Sequence, residues 1–190
     1  MGRIVVTEFV SLDGVMEDPG GSENFKYGGW SFEFSRGEEG DKFKLDETLE
    51  TEALLLGRVT YEGFAEAWPP RSGEFADKFN SMPKYVVSST LSNAEWTNST
   101  VLEGDLAEAV SSLRQKVDGD IVVHGSAQLV QSLLEHNLVD ELRLMVFPVV
   151  LGSGKRLFGD TNEKKPLRLV DSQTVGDGVA ILVYNRAEGH

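Results

Sequence analysis

The chain has 190 residues, 40% of them hydrophobic, no cysteine and a formal net charge of −13. This length is enough to bury one sizeable core and predicts a single domain over residues 1–190; the lack of thiols excludes disulfides and thiolate chemistry, and the negative charge repels a nucleic-acid backbone. Without a long apolar run or a basic-then-apolar leader, the sequence predicts a cytoplasmic protein, and His124, His136 and His190 match no metal-ligand spacing, so no metal is expected.

Residues 3–10 (RIVVTEFV) are β-branched and aromatic enough for a strand, and Asp13-Gly14 and Pro19-Gly20-Gly21 then force a loop to about residue 40. Phe43, Leu45 and Leu49 recur near helical spacing behind acidic residues, predicting a helix over 41–51. A buried strand is read at 53–57 (ALLLG), and a helix from Thr60 to Trp68, stopped by Pro69-Pro70. Strands at 84–89 and 120–125 alternate with helices at 105–117 and 127–136. Such alternation indicates βαβ units and a largely parallel sheet. After residue 138 the segments 141–150, 165–175 and 178–186 lack helical spacing and are joined by Gly-containing turns, which adds antiparallel strands at the end.

Ligands of such a sheet bind at the carboxyl edge of its strands. At 57–60 a strand ends in Gly57 and opens a helix carrying Arg58 and Thr60, and unpaired N–H groups with added donors suit a phosphate. Alone, the same residues are equally an ordinary helix start with a surface cation. Ser88, Ser89 and Thr90 end the next strand, and Gly125-Ser126-Ala127-Gln128 leads from a strand into a helix. The GxGxxG fingerprint is absent. Together the three strand ends point to a nucleotide-cofactor cleft.

The order of SLDG (11–14), LLLGRVTYEGF (54–64), PKYVVSS (83–89), HGSAQLVQSLL (124–134), LVDELRL (138–144) and PVVLGSGKRLF (148–158) is similar to the dihydrofolate reductase superfamily. The nearest branch is the stand-alone bacterial proteins that resemble the C-terminal reductase domain of riboflavin-biosynthesis enzymes. The resemblance implies an α/β fold with a mixed, mainly parallel central sheet flanked by helices and ending in antiparallel strands. It also implies NADPH as cofactor, held by Gly57, Arg58 and Thr60, by Ser88 and Ser89 on the adenosine side, and by Gly125, Ser126, Ala127, Gln128 and Leu129. Ser126 stands where the superfamily has a second glycine, and Val130 where a tyrosine is frequent.

Asp41 lies sixteen residues before Gly57, the separation at which folate-reducing relatives place their proton-handling acid. A carboxylate raised by burial can do that work. An acid early in a helix is also simply a cap or dipole partner, and Asp46 and Glu47 compete with Asp41 for the chemical role. Asp13 is a second candidate near the nicotinamide, and equally a turn residue. Met82 occupies the place of the arginine that clamps folate's glutamyl carboxylate, so the expected substrate is a small heterocycle, a pyrimidine, pterin or related ring, rather than folate. Trp30, Phe64 and Trp68 are candidates to line its pocket. The resemblance implies an NADPH-dependent oxidoreductase, with a non-catalytic ligand-binding protein on the same fold as the alternative, and a homodimer.

Overall fold

A computed structural model describes residues 1–188; His190 lies outside the described residues. Strand β1 (Arg3–Ser11) leads through a loop with one 3-10 turn (Trp30–Glu33) into helix α1 (Gly37–Glu50). Then come β2 (Thr51–Gly57), α2 (Arg58–Ala67), α3 (Glu74–Ser81), β3 (Lys84–Val87), β4 (Ser99–Leu102) and α4 (Leu106–Lys116). The chain ends with β5 (Asp120–Val123), α5 (Ala127–Glu135), β6 (Glu141–Phe147), β7 (Leu167–Val175) and β8 (Val179–Arg186). One eight-stranded sheet has the order β4-β3-β2-β5-β1-β6-β8-β7. Pairing is parallel from β4 to β6, and β8 and β7 join antiparallel. The expected mixed, mainly parallel sheet with antiparallel C-terminal strands is therefore present.

Several expected boundaries move. Helix α1 starts at Gly37, ahead of the predicted 41, and runs directly into β2. Helix α2 begins at Arg58 rather than Thr60, and Ser88 and Ser89 lie beyond β3. Strand β5 stops at Val123, and β6 stops at Phe147 because Pro148 cannot donate to a ladder. Two elements were not expected at all, α3 and β4.

The sheet is covered on both faces. Val110 and Leu113 of α4 and Leu133 of α5 pack on Ile4, Val6, Leu55, Ile121 and Val123. On the other face Tyr61 of α2 and Phe79 of α3 pack on Val5, Leu54, Leu56 and Val122, the outward set of the same strands. Each fully buried leucine of β2 is worth roughly 1.5–3 kcal/mol of apolar transfer. Among the described residues no helix is long and apolar enough to cross a membrane.

This winding locates a crevice. From β1 the chain crosses by α1 towards the β4 edge, whereas from the neighbouring β5 it crosses by α5 towards the β7 edge. The two connections part between β5 and β1, the topological switch point where open α/β sheets bind ligands. The strands also separate there: β1 pairs with β5 only as far as Val6 and Val123, but with β6 as far as Ser11 and Phe147.

Candidate active site

Along the carboxyl edge runs a cleft of about 2410 Å³, well above the ~300–1,000 Å³ of a pocket for one small ligand. Gly57 is the N-cap of α2 in extended conformation, and no side chain caps that helix. Gly125 and Ser126 are both left-handed, with φ of 57° and 61°, and α5 likewise starts without a side-chain cap. A Cβ on Gly125 would sit 2.7 Å from the Thr60 hydroxyl, so glycine is required for this close approach of the two βα turns. The Gly57 N–H donates to Ser126 Oγ at 2.9 Å, and that hydroxyl donates to the His124 carbonyl at 3.2 Å. Two helix N-termini with unspent N–H groups are thus tied together beside the cleft.

Arg58 is exposed and ion-paired with Glu62 at 3.1 Å. Ser88 Oγ accepts from the N–H groups of Thr90 and Leu91, a local turn that leaves Ser89 exposed at the cleft margin. Gln128 borders the cleft and is exposed; Ala127 and Leu129 also border it, but the Leu129 side chain belongs to the core.

The floor at the switch point carries buried ionisable groups. Glu8, near the carboxyl end of β1, is 5% exposed; its Oε2 accepts from the Gly125 N–H at 3.0 Å, and its Oε1 has no hydrogen-bond partner. Burial pushes the Glu8 carboxyl well above the usual range, more than nearby Lys44 can offset. Lys44 of α1 donates to Glu47 at 2.6 Å and to Thr7 Oγ1 at 3.1 Å, and Glu47 also meets Arg143 at 3.3 Å. Burial alone would raise Glu47, but Lys44, with His124 and Arg143 behind it, holds its carboxyl at about 2. His124 lies edge-on to Phe64 and Phe79, and burial, reinforced by Lys44, lowers its imidazole to about 3.

The sequence-predicted acids are placed differently from what their proposed work requires. Asp41 borders the cleft, but its side chain is 66% exposed, beyond the first turn of α1, and pairs with Arg36 at 2.9 Å. The burial that was to raise it is absent. Asp13 accepts from Ser11 Oγ at 2.5 Å and from the N–H groups of Leu151 and Gly152, and these bonds hold its carboxyl at about 2. It is a loop fastener rather than a cleft group. Trp30 is 1% exposed, packs edge-on to Phe147 at 5.4 Å and donates its indole N–H to the Glu17 carbonyl, so it is core and not pocket wall. Phe64 and Trp68 do line the cleft, Phe64 edge-on to Phe79 and Trp68 tilted against Phe75 and Phe79.

The residues that sequence reasoning missed are Glu8 and Lys44; Glu47, a competitor of Asp41 in the sequence, is buried in the floor. Glu8 left a signal: strands buried on both faces of a parallel sheet read as continuous apolar runs, and Thr7-Glu8 interrupts one.

The winding, the cleft at the switch point and the paired helix starts define a doubly wound α/β protein with an open cleft at the carboxyl edge of its sheet. The chain belongs to the RibD C-terminal domain family, whose model matches residues 3–181. It is 28% identical over 188 residues to the uncharacterized protein YyaP of Bacillus subtilis (strain 168), covering 96% of this chain and 94% of that one. It is 29% identical to the uncharacterized protein YwjB of the same organism, covering 94% of each. Among solved structures, a provisionally named riboflavin biosynthesis protein from Shewanella sp. PV-4 superposes with a TM-score of 0.79 at 22% identity, over 98% of this chain and 99% of that chain. A pyrimidine reductase-like protein from Corynebacterium diphtheriae NCTC does so with 0.63 at 14%, over 98% and 92%. These two likenesses are of fold.

Proposed function

We propose that this protein is an NADPH-dependent reductase of a small heterocycle, a pyrimidine, pterin or related ring. The observation that carries the reading is the pair of uncapped helix N-termini, α2 and α5, joined through Ser126 and Gly57 and bordering one cleft at the switch point. Membership of the RibD C-terminal domain family and the fold shared with a pyrimidine reductase-like protein support it.

The donor set fits a dinucleotide. Unspent N–H groups at the start of α5 and the Thr60 hydroxyl, which Gly125 lets approach closely, suit a pyrophosphate. Ser88, Ser89 and Arg58 are the donors available to a 2′-phosphate, with Arg58 turning from Glu62 to reach it. When bound, NADPH supplies the hydride. The chain orients it, and the aromatic wall of Phe64 and Trp68 excludes water from the reacting ring.

Titration of the protein with NADPH and NADH at moderate salt is expected to show NADPH binding about tenfold or more tightly, and Arg58→Ala is expected to weaken NADPH by about 1.5–3 kcal/mol. Equal affinity for both cofactors overturns the assignment of these donors. Loss of NADPH absorbance with a panel of pyrimidines and pterins tests turnover; binding of NADPH without its oxidation by any of them favours a non-catalytic ligand-binding protein on the same fold. We also infer a homodimer, supported by Leu169 and Val170, exposed on the edge strand β7. A 20.9 kDa monomer by light scattering at micromolar concentration overturns that.

A further inference from the structure

We propose that Glu8 is the proton donor of this cleft: its carboxyl protonates the ring nitrogen or oxygen of a substrate C=N or C=O bond seated over the gap between β1 and β5. The inference rests on the reductase reading and deepens it, because it assigns the acid and limits the substrate to a ring that presents a proton acceptor beside the carbon to be reduced.

The argument is geometric. Glu8 stands on β1 two residues beyond the point where β1 and β5 part, so it borders the crevice rather than the sealed sheet. Oε2 is fixed by the Gly125 N–H at 3.0 Å, which aims the carboxyl, while Oε1 has no acceptor or donor from the protein. A buried polar oxygen left unpaired costs about 1–3 kcal/mol, so its occurrence here, on the wall of the cleft, marks a group whose partner comes from outside.

The neighbouring groups are already engaged or hold no proton to give. From α1, the Lys44 ammonium is taken up by Glu47 and Thr7, and Glu47 is ionised between Lys44 and Arg143. Beyond β5, His124 is neutral at physiological pH, since its imidazole is lowered to about 3. Arg143, from β6, is shared among Glu141, Glu47 and Asp120. With Lys44 bonded to Glu47 and Thr7, an ionised Glu8 would be a buried charge with no ion-pair contact of its own, and burial outweighs the attraction of Lys44 and favours the protonated form.

The step balances as follows. As the C=X carbon takes up hydride from the dihydronicotinamide, its π pair collects on X, the O–H bond of Glu8 breaks and X–H forms. Glu8 is left as carboxylate, and water restores its proton, so one substrate, one NADPH and one proton give the dihydro product and NADP⁺.

The test is Glu8→Gln, which keeps the shape and the contact with Gly125 but has no acid proton. Infrared difference spectra of the ligand-free proteins at neutral pH are expected to show the carbonyl band of a neutral carboxylic acid in the parent that is missing from E8Q. NADPH affinity is expected to stay within about twofold, while kcat/KM with an acceptor found in the panel falls about 100-fold or more. The parent kcat/KM is expected to decline as pH rises through the Glu8 pKa, and E8Q to lose that limb. If E8Q fails to fold, Glu8→Asp serves: it retains the band and loses turnover because the acid is withdrawn by one methylene. Absence of the band overturns the proposal, as does a band accompanied by E8Q turnover within about threefold of the parent. If the parent itself neither binds nor oxidises NADPH, the reductase reading fails and the proton-donor role falls with it, an outcome distinct from an active parent with an equally active E8Q.

Discussion

Lys84 and Lys44 are both buried lysines on strands or helices of the same sheet layer system, and they differ in how they are satisfied. Lys84, fully buried at the start of β3, donates to the carbonyls of Asn80, Met82 and Thr97 at 2.6–3.0 Å and lies 4.1 Å over the Trp96 ring. Burial lowers its ammonium to about 8, yet every donor has a fixed acceptor. Lys44 is divided between Glu47 and Thr7 and stands next to Glu8, whose Oε1 has nothing. The first arrangement closes on itself and ties the end of α3 to β3 and the loop before β4. The second is incomplete at the cleft wall. Complete polar satisfaction marks scaffold, and an unsatisfied group at a ligand cleft marks chemistry.

Substitutions can break this contrast. The largest effect is expected for Lys44→Met, which leaves Glu47 with Arg143 alone: about 3–5 kcal/mol of stability by urea denaturation, with turnover lost as well. Lys84→Met follows at about 2–3 kcal/mol, because carbonyls lose their donor, but NADPH affinity per folded molecule should be unchanged. If Lys84→Met abolishes cofactor binding in protein that circular dichroism shows to be folded, Lys84 is not mere scaffold.

The two floor carboxyls should then pull stability in opposite directions with pH. Glu47 is depressed from 4.5 to about 2, so its contribution is present above pH 4.5 and disappears as pH falls towards 2; Glu47→Gln should remove that acid limb from a plot of stability against pH. Glu8 is raised above 4.5, so the unfolded chain releases this proton first and the parent loses stability as pH climbs beyond 4.5 towards the folded pKa. Glu8→Gln does not, and its melting temperature should overtake the parent's by a margin that widens with pH. A constant margin between pH 4 and 8 would mean that Glu8 is not held neutral. The smallest effect belongs to Asp41→Asn, which removes an exposed pair with Arg36: thermal unfolding should shift by no more than about 0.5 kcal/mol equivalent.

Much of the fold was readable because its signals are local. Alternating apolar strands and amphipathic helices from Thr51 to Glu135 announce βαβ winding, and the change after residue 138 announces the antiparallel end. β4 was not readable, since STVL is four residues long and follows a polar loop, and only pairing with β3 makes it a strand. α3 escaped for a similar reason: eight residues after Pro69, Pro70 and Gly73 look like loop until Phe75 and Phe79 are seen to stack. The phosphate-compatible turns were legible from glycine and hydroxyl placement at strand ends. The acid was not, because exposure is a tertiary property. Asp41 and Glu8 are both carboxyls in plausible segments, and only the assembled sheet turns one towards solvent beside Arg36 and buries the other in the wall of the cleft.

Ser126 limits how the cleft can discriminate among ligands. Its hydroxyl proton is given to the His124 carbonyl and its oxygen receives the Gly57 N–H, so its one donor is already spent. An anion settling at this corner therefore finds main-chain donors, in positions fixed by two consecutive left-handed residues, and beside them only the Thr60 hydroxyl. Such a seat offers no cationic side chain of its own. Its preference among phosphates, sulfates and carboxylates would follow from contour, and Glu8, which accepts the Gly125 N–H from below, is the one carboxyl whose change of state would reach it.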